Sequence, residues 1–170
     1  GDAAWADAGV IIPERLRLMY GTPISKEHYD GMEIYMDFLK SLGEDGPRTT
    51  YGDWLAYDHT APRYIAICYY ACDAMLMEGY SRQLSQTAGD YYDCRAEYYH
   101  ELTARIKAHF CDLYLGENGL TQHSQTACLL ALKFKMIPNE WIEPTKVLLR
   151  QKIVDNGYRL STGFVGTGAL

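Results

Sequence analysis

The chain has 170 residues, enough for one domain with a sizeable core and too few for two domains of ordinary size. Its net charge of −6 comes from 16 basic and 22 acidic residues without a stripe of Lys or Arg, which disfavours a nucleic-acid partner. No apolar run approaches the ~18 residues of a bilayer-crossing helix, so no membrane segment is predicted.

Helical periodicity runs through almost all of the sequence. A first helix is predicted around Pro13 in its first turn, with Leu16, Met19 and Tyr20, ending at Gly21 and Pro23. Ser25 is the N-cap of a second, which carries Tyr29, Met32, Met36 and Leu39 on one face and stops at Gly43. Thr60 caps a third, with Pro62 in its first turn and a stripe of Ile65, Cys68, Cys72, Met75 and Leu76. The fourth begins near Asp90 and spaces Tyr91, Cys94, Tyr98, Leu102, Ile106, Phe110 and Leu113 by three or four. A shorter fifth covers Ser124 to Met136. A sixth starts near Pro144 and carries Val147, Leu148 and Val154. Strand alternation is nearly absent and no fixed-period repeat is found, so the fold class is all-α, a set of helical hairpins.

Few of the usual catalytic signatures are present. Cys68 and Cys72 sit four apart on one helix face, but no second pair accompanies them, so buried thiols are expected and not a metal site. His123 precedes Ser124 without the elbow or ordered triad that nucleophilic hydrolysis requires. Gly163, Gly166 and Gly168 form a glycine-rich turn with no preceding strand and no following Lys, which argues against a phosphate cradle. No cofactor is expected. Asp37, Asp73, Asp93, Glu97, Glu101 and Asp112 fall within helices and read mostly as solvated faces.

Two Trp–Asp neighbourhoods stand apart, Trp5 with Asp7 and Asp53 with Trp54, each at or just before a helix start. An indole offers a flat apolar face to the C–H side of a sugar, and a carboxylate accepts from two neighbouring hydroxyls. A packed Trp beside a helix-capping Asp explains the same residues, and spacing alone favours it. The 15 tyrosines are read chiefly as hairpin-interface residues, with an aromatic-lined groove as the sharper alternative.

Four segments, taken in order, resemble one family, the bacterial α-L-rhamnosidases of glycoside hydrolase family 78. Trp5-Ala6-Asp7-Ala8-Gly9-Val10-Ile11-Ile12-Pro13 is similar to that family's Trp-Gly-Asp-Ala-x-Val-x-x-Pro segment, and Tyr51-Gly52-Asp53-Trp54-Leu55-Ala56 to its Gly-Asp-Trp-Leu segment. Ser124-Gln125-Thr126-Ala127 resembles its Thr-Gln-Thr-Ala helix start. Leu160-Ser161-Thr162-Gly163-Phe164-Val165-Gly166-Thr167 resembles its Leu-Thr-Thr-Gly-Phe-Val-Gly-Thr loop. Ala6 stands where the family has Gly, and Gly168-Ala169 where it has Pro-Tyr.

The resemblance implies part of an (α/α)6 barrel, a toroid of helical hairpins whose loops form a sugar pocket at one end. Residues 1–170 would be a partial barrel domain truncated at both ends, an expectation that the opening Gly1 and the glycine-rich ending share. It implies Trp5 and Trp54 as pocket walls, with Asp7 and Asp53 as hydroxyl acceptors or loop organisers. The implied activity is removal of terminal α-L-rhamnose from a glycan or glycoside by inverting hydrolysis. The family's general acid lies ahead of the matching region and its general base beyond it, so this chain is expected to hold neither and to be inactive alone. Exposed hairpin faces would favour self-association. The alternatives are another (α/α)6 exo-glycosidase, a polysaccharide lyase, or a non-enzymatic helical interaction module.

Overall fold

A computed structural model describes residues 2–43, 46 and 51–170; Gly1 lies outside them. The described chain is almost entirely helical. Helix α1 spans Ala8–Tyr20, so Pro13 lies inside the helix and not in its first turn. Helix α2 spans Lys26–Ser41 and is capped as expected, with Ser25 Oγ accepting from the His28 N–H at 3.2 Å. Tyr29, Met32, Met36 and Leu39 are its buried face, the stripe the sequence marks.

Helix α3, Pro62–Ala88, and helix α4, Asp90–Tyr114, form the long central hairpin. Gly89 turns between them at φ 93°, a left-handed value that a side chain would strain. Thr60 is not the cap of α3, whose N-cap is Ala61; the Thr60 hydroxyl instead meets that of Ser124 at 2.5 Å. α3 touches α1, α2, α4 and the later helix α5 (Gln125–Lys133). It is therefore buried on most sides, including Tyr64, Ala71, Asp73, Ala74 and Met77 beyond the predicted stripe. Small residues such as Ala66, Ala71 and Ala74 let its neighbours approach.

The buried face of α4 is offset from the predicted one. Tyr92 and Tyr99 point inward, whereas Tyr91 and Cys94 are exposed, and the two readings converge only at Leu102, Ile106 and Phe110. A two-residue hairpin follows, β1 (Leu115–Gly116) against β2 (Gly119–Leu120). α5 is capped by Ser124, whose Oγ accepts from the Ala127 N–H at 3.0 Å. A 3-10 turn at Asn139–Trp141 leads into α6, Ile142–Asp155, where Pro144 is the third residue and not the first. Val147 and Val154, expected inside, lie on the surface. The glycine-rich turn contains a short helix, α7, Phe164–Gly168.

Cys68 and Cys128 are buried free thiols, while Cys94 is exposed. No helix among the described residues is long and apolar enough to cross a membrane. Ile12, Leu18 and Met19 on α1, and Ile34 and Phe38 on α2, are exposed apolar residues.

Candidate functional site

The four motif segments, the first and last of which lie at opposite ends of the chain, meet at one end of the helices. Asp53 is where three of them join. Its Oδ2 accepts from the Thr126 hydroxyl at 2.5 Å and the Gly163 N–H at 2.8 Å. Its Oδ1 accepts from the N–H groups of Val165 at 2.8 Å and Gly166 at 3.1 Å. The carboxylate thus caps the start of α7 and ties it to the first turn of α5. All its strong acceptor directions are used within the protein, so Asp53 organises the loop.

Further bonds close the same network. The Phe164 N–H donates to the Trp54 carbonyl at 2.8 Å, and the Tyr57 N–H to the Ser161 carbonyl at 3.0 Å. Gln125, buried at the start of α5, accepts from the Ser161 N–H at 3.0 Å and donates to the Arg159 carbonyl at 3.1 Å. Gly163 and Gly166 are required by closeness: a Cβ on Gly163 would collide with the Trp54 carbonyl, and one on Gly166 with the Thr126 hydroxyl.

This network presents aromatic rings to solvent. Trp5 stacks on Phe164 with centroids 4.7 Å apart and planes 12° from parallel. Tyr51 meets Trp5 edge-on at 6.3 Å and Trp54 edge-on at 5.8 Å. The four rings are between 40% and 63% exposed, although each has an aromatic neighbour. Together the four rings form a clustered exposed aromatic surface. Both indole-bearing turns also contain a non-glycine residue in the left-handed region, Ala4 at φ 69° and Leu55 at φ 66°, each costing about 1 kcal/mol.

Asp7 takes a different position. It is fully buried beneath the Trp5 turn, where Oδ2 accepts from the Ala4 N–H and Oδ1 from the Tyr35 hydroxyl, both at 2.5 Å. Burial raises its pKa, and these bonds partly offset the rise. Beside it lies Asp73 of α3, also fully buried and not a solvated face. Neither Asp73 oxygen has a donor among the described residues. Burial, followed by the charge of Asp7, pushes the Asp73 carboxyl well above the usual range.

Of the four site residues marked by sequence, Trp5 and Trp54 reach the exposed face, whereas Asp7 and Asp53 support it from beneath. Tyr51 and Phe164 were not distinguishable from other aromatics, although both sit inside the motif segments. Asp73 and Tyr35 carried a weaker signal: Asp73 interrupts an otherwise apolar run from Tyr64 to Ala74. His123 donates from Nε2 to the Leu120 carbonyl at 2.7 Å and stands in no nucleophilic arrangement among the described residues.

Helical hairpins with an aromatic face on their loops define an all-α domain with a candidate binding surface. The model of the bacterial alpha-L-rhamnosidase six-hairpin glycosidase domain matches residues 1–170, and the chain belongs to that family. An alpha-L-rhamnosidase of Streptomyces avermitilis is 30% identical over 175 residues, covering 100% of this chain and 16% of the relative. The crystal structure of Streptomyces avermitilis alpha-L-rhamnosidase complexed with L-rhamnose matches with TM-score 0.86 at 28% identity, over 99% of this chain and 16% of that one. The alpha-L-rhamnosidase from Dictyoglumus thermophilum matches with TM-score 0.84 at 29% identity, over 98% of this chain and 20% of that one. The hairpins described above are thus part of an all-α toroid, and the chain spans a small share of its relatives.

Proposed function

We propose that this chain forms part of the sugar-pocket wall of an α-L-rhamnosidase, with Trp5 and Trp54 facing a terminal rhamnose. The observation that carries this reading is the exposed aromatic face, braced by Asp53 on the Trp54 side, where the four segments that resemble the family's motifs meet. Rhamnose has an apolar C–H face and a methyl group suited to an indole, and its hydroxyls remain free for donors from elsewhere. Asp7 and Asp53 act as loop organisers in this reading.

Hydrolysis would proceed with inversion, one carboxylic acid protonating the leaving oxygen while a separated carboxylate activates water. Both of those residues would lie outside these 170, and the chain alone would be inactive. The two motif aspartates are consistent with this: Asp53 is saturated with donors and Asp7 is buried, so neither is free to meet a glycosidic oxygen. The exposed apolar residues of α1 and α2 would be covered by more of the barrel, or by self-association of the isolated chain.

The test is an assay of the longer polypeptide and the 170-residue chain side by side on an aryl α-L-rhamnoside. Activity in the first and none in the second is expected. Turnover by the short chain would place a catalytic carboxylate within it, and inactivity of both would remove the sugar assignment. Sedimentation of the short chain should show association, and a compact monomer would contradict the covering of those residues.

A further inference from the structure

Every residue of Gly163-Phe164-Val165-Gly166 spends its backbone N–H on Asp53 or Trp54. Gly163, Val165 and Gly166 donate to the Asp53 carboxylate at 2.8, 2.8 and 3.1 Å, and Phe164 donates to the Trp54 carbonyl at 2.8 Å. The backbone at Phe164 is therefore held on both sides, and the direction in which its side chain leaves is held with it. Three of these four residues have a cause in packing. Gly163 and Gly166 have no room for a Cβ, and Val165 is 2% exposed. Phe164 differs, because its ring is 63% exposed and adds little to the core. Its partner is Trp5, from the other end of the chain, stacked at 4.7 Å with planes 12° apart.

The hydrogen bonds that shape the Trp5 turn are local or lead elsewhere. The Trp5 and Ala6 N–H groups both donate to the Asp2 carbonyl, and Asp7 ties the turn to Tyr35 of α2. Aromatic contacts are what join this turn to the Asp53 segment. Tyr51 meets both indoles edge-on, at 6.3 and 5.8 Å, which limits where Trp5 lies but leaves its ring able to rock. A near-parallel phenyl at 4.7 Å fixes the plane, since any tilt drives one edge of the indole into it.

We propose that Phe164 is a positioning residue for sugar binding: it sets the plane of the Trp5 indole and couples the Trp5 turn to the Asp53–Trp54 turn, so that the two indoles present one preformed surface. The link to sugar rests on the proposed role of Trp5 and Trp54, whereas the coupling of the rings does not.

The physical gain is preorganisation. An indole free to rock has to be ordered by the sugar, and the entropy of that ordering is subtracted from affinity. An indole already held in plane avoids this cost. The requirement at position 164 is therefore a flat ring and not apolar bulk alone. Leu is apolar but offers no parallel face to the indole, while Tyr keeps that face.

The experiment uses the full-length polypeptide with 5-fluorotryptophan incorporated at position 5, as wild type, Phe164→Tyr and Phe164→Leu. The fluorine resonance reads the ring without any sugar, because a stacked phenyl displaces it and a mobile indole averages it. Calorimetric titration of the unlabelled proteins with L-rhamnose reads binding. Wild type and Phe164→Tyr should share a displaced resonance and a similar affinity. Phe164→Leu should move the resonance toward its unfolded position and weaken L-rhamnose binding by roughly three- to tenfold. Its melting temperature should change little, because the phenyl is mostly exposed. A reciprocal label, 4-fluorophenylalanine at position 164 with and without Trp5→Leu, keeps the test open if Phe164→Leu does not fold: loss of the indole should move that resonance. An unmoved resonance in either arrangement overturns the coupling. A moved resonance with equal L-rhamnose affinity in wild type and Phe164→Leu overturns the positioning role. A moved resonance with no L-rhamnose binding by any of the proteins leaves the coupling standing and removes the sugar-wall reading.

Discussion

The two indole-bearing turns look alike in sequence, each pairing a Trp with an Asp within two positions, yet their carboxylates are held differently. At the Trp54 turn, the Asp53 carboxylate is surrounded by donors: a hydroxyl and three backbone N–H groups from α5 and the α7 turn. At the Trp5 turn, Asp7 has two donors and a second buried acid for a neighbour. The first carboxylate is spent on four donors from two later segments; the second is fully buried and held by two. A Trp–Asp pair therefore fixes no role by itself, because the groups supplied by distant helices decide what the carboxylate does.

Breaking the Trp54 side should have the largest effect. Asp53→Ala strips the acceptor from four donors at once and should cost about 3 kcal/mol or more, read by thermal or denaturant unfolding. Unchanged stability would mean the network contributes little. Gly163→Ala should follow at about 2 kcal/mol, since its Cβ meets backbone of Trp54 and Ala56 that cannot rotate aside. Trp54→Ala in the full-length polypeptide should raise KM for an aryl α-L-rhamnoside about ten- to a hundredfold, equivalent to about 1.4–2.8 kcal/mol. Because the ring is half exposed, its melting temperature should barely move; a large drop with unchanged KM would favour packing as its role.

The Trp5 side sharpens the comparison with a smaller change. Tyr35→Phe removes one hydroxyl from Asp7 and should cost about 1–2 kcal/mol at neutral pH. It should also raise the pH at which Asp7 itself ionises, because a donor that favoured the charged form is gone. A stability-versus-pH curve for Tyr35→Phe that runs parallel to wild type would show that Tyr35 is not coupled to Asp7.

How much of this was legible in the chain differed by helix. On α2 the apolar residues occupy one face only, so Tyr29, Met32, Met36 and Leu39 could be placed from spacing. On α4 the doublets Tyr91-Tyr92 and Tyr98-Tyr99 satisfy two helical faces equally well, and only packing against the other helices, such as Tyr29 of α2 against Tyr92, selects Tyr92 and Tyr99. α3 defeats a stripe argument because helices cover it on most sides. On α6 the expected core residues Val147 and Val154 lie outside, since its buried contacts within the described residues are few and Thr145 supplies the buried one.

The sequence by itself determined the all-α class, the Ser25 and Ser124 caps, and the family that residues 1–170 belong to. Those properties are local: hydroxyls that reach amides three residues on, apolar residues at helical spacing, and motif segments read in order. Only the tertiary structure decided that Asp53 is saturated, that Phe164 stacks on Trp5, and that Asp73 is buried against Asp7. Each of these joins residues from 66 to 159 positions apart, by arithmetic on their numbers. A carboxylate's charge and function depend on which donors surround it in space, and chain-local spacing carries no record of that.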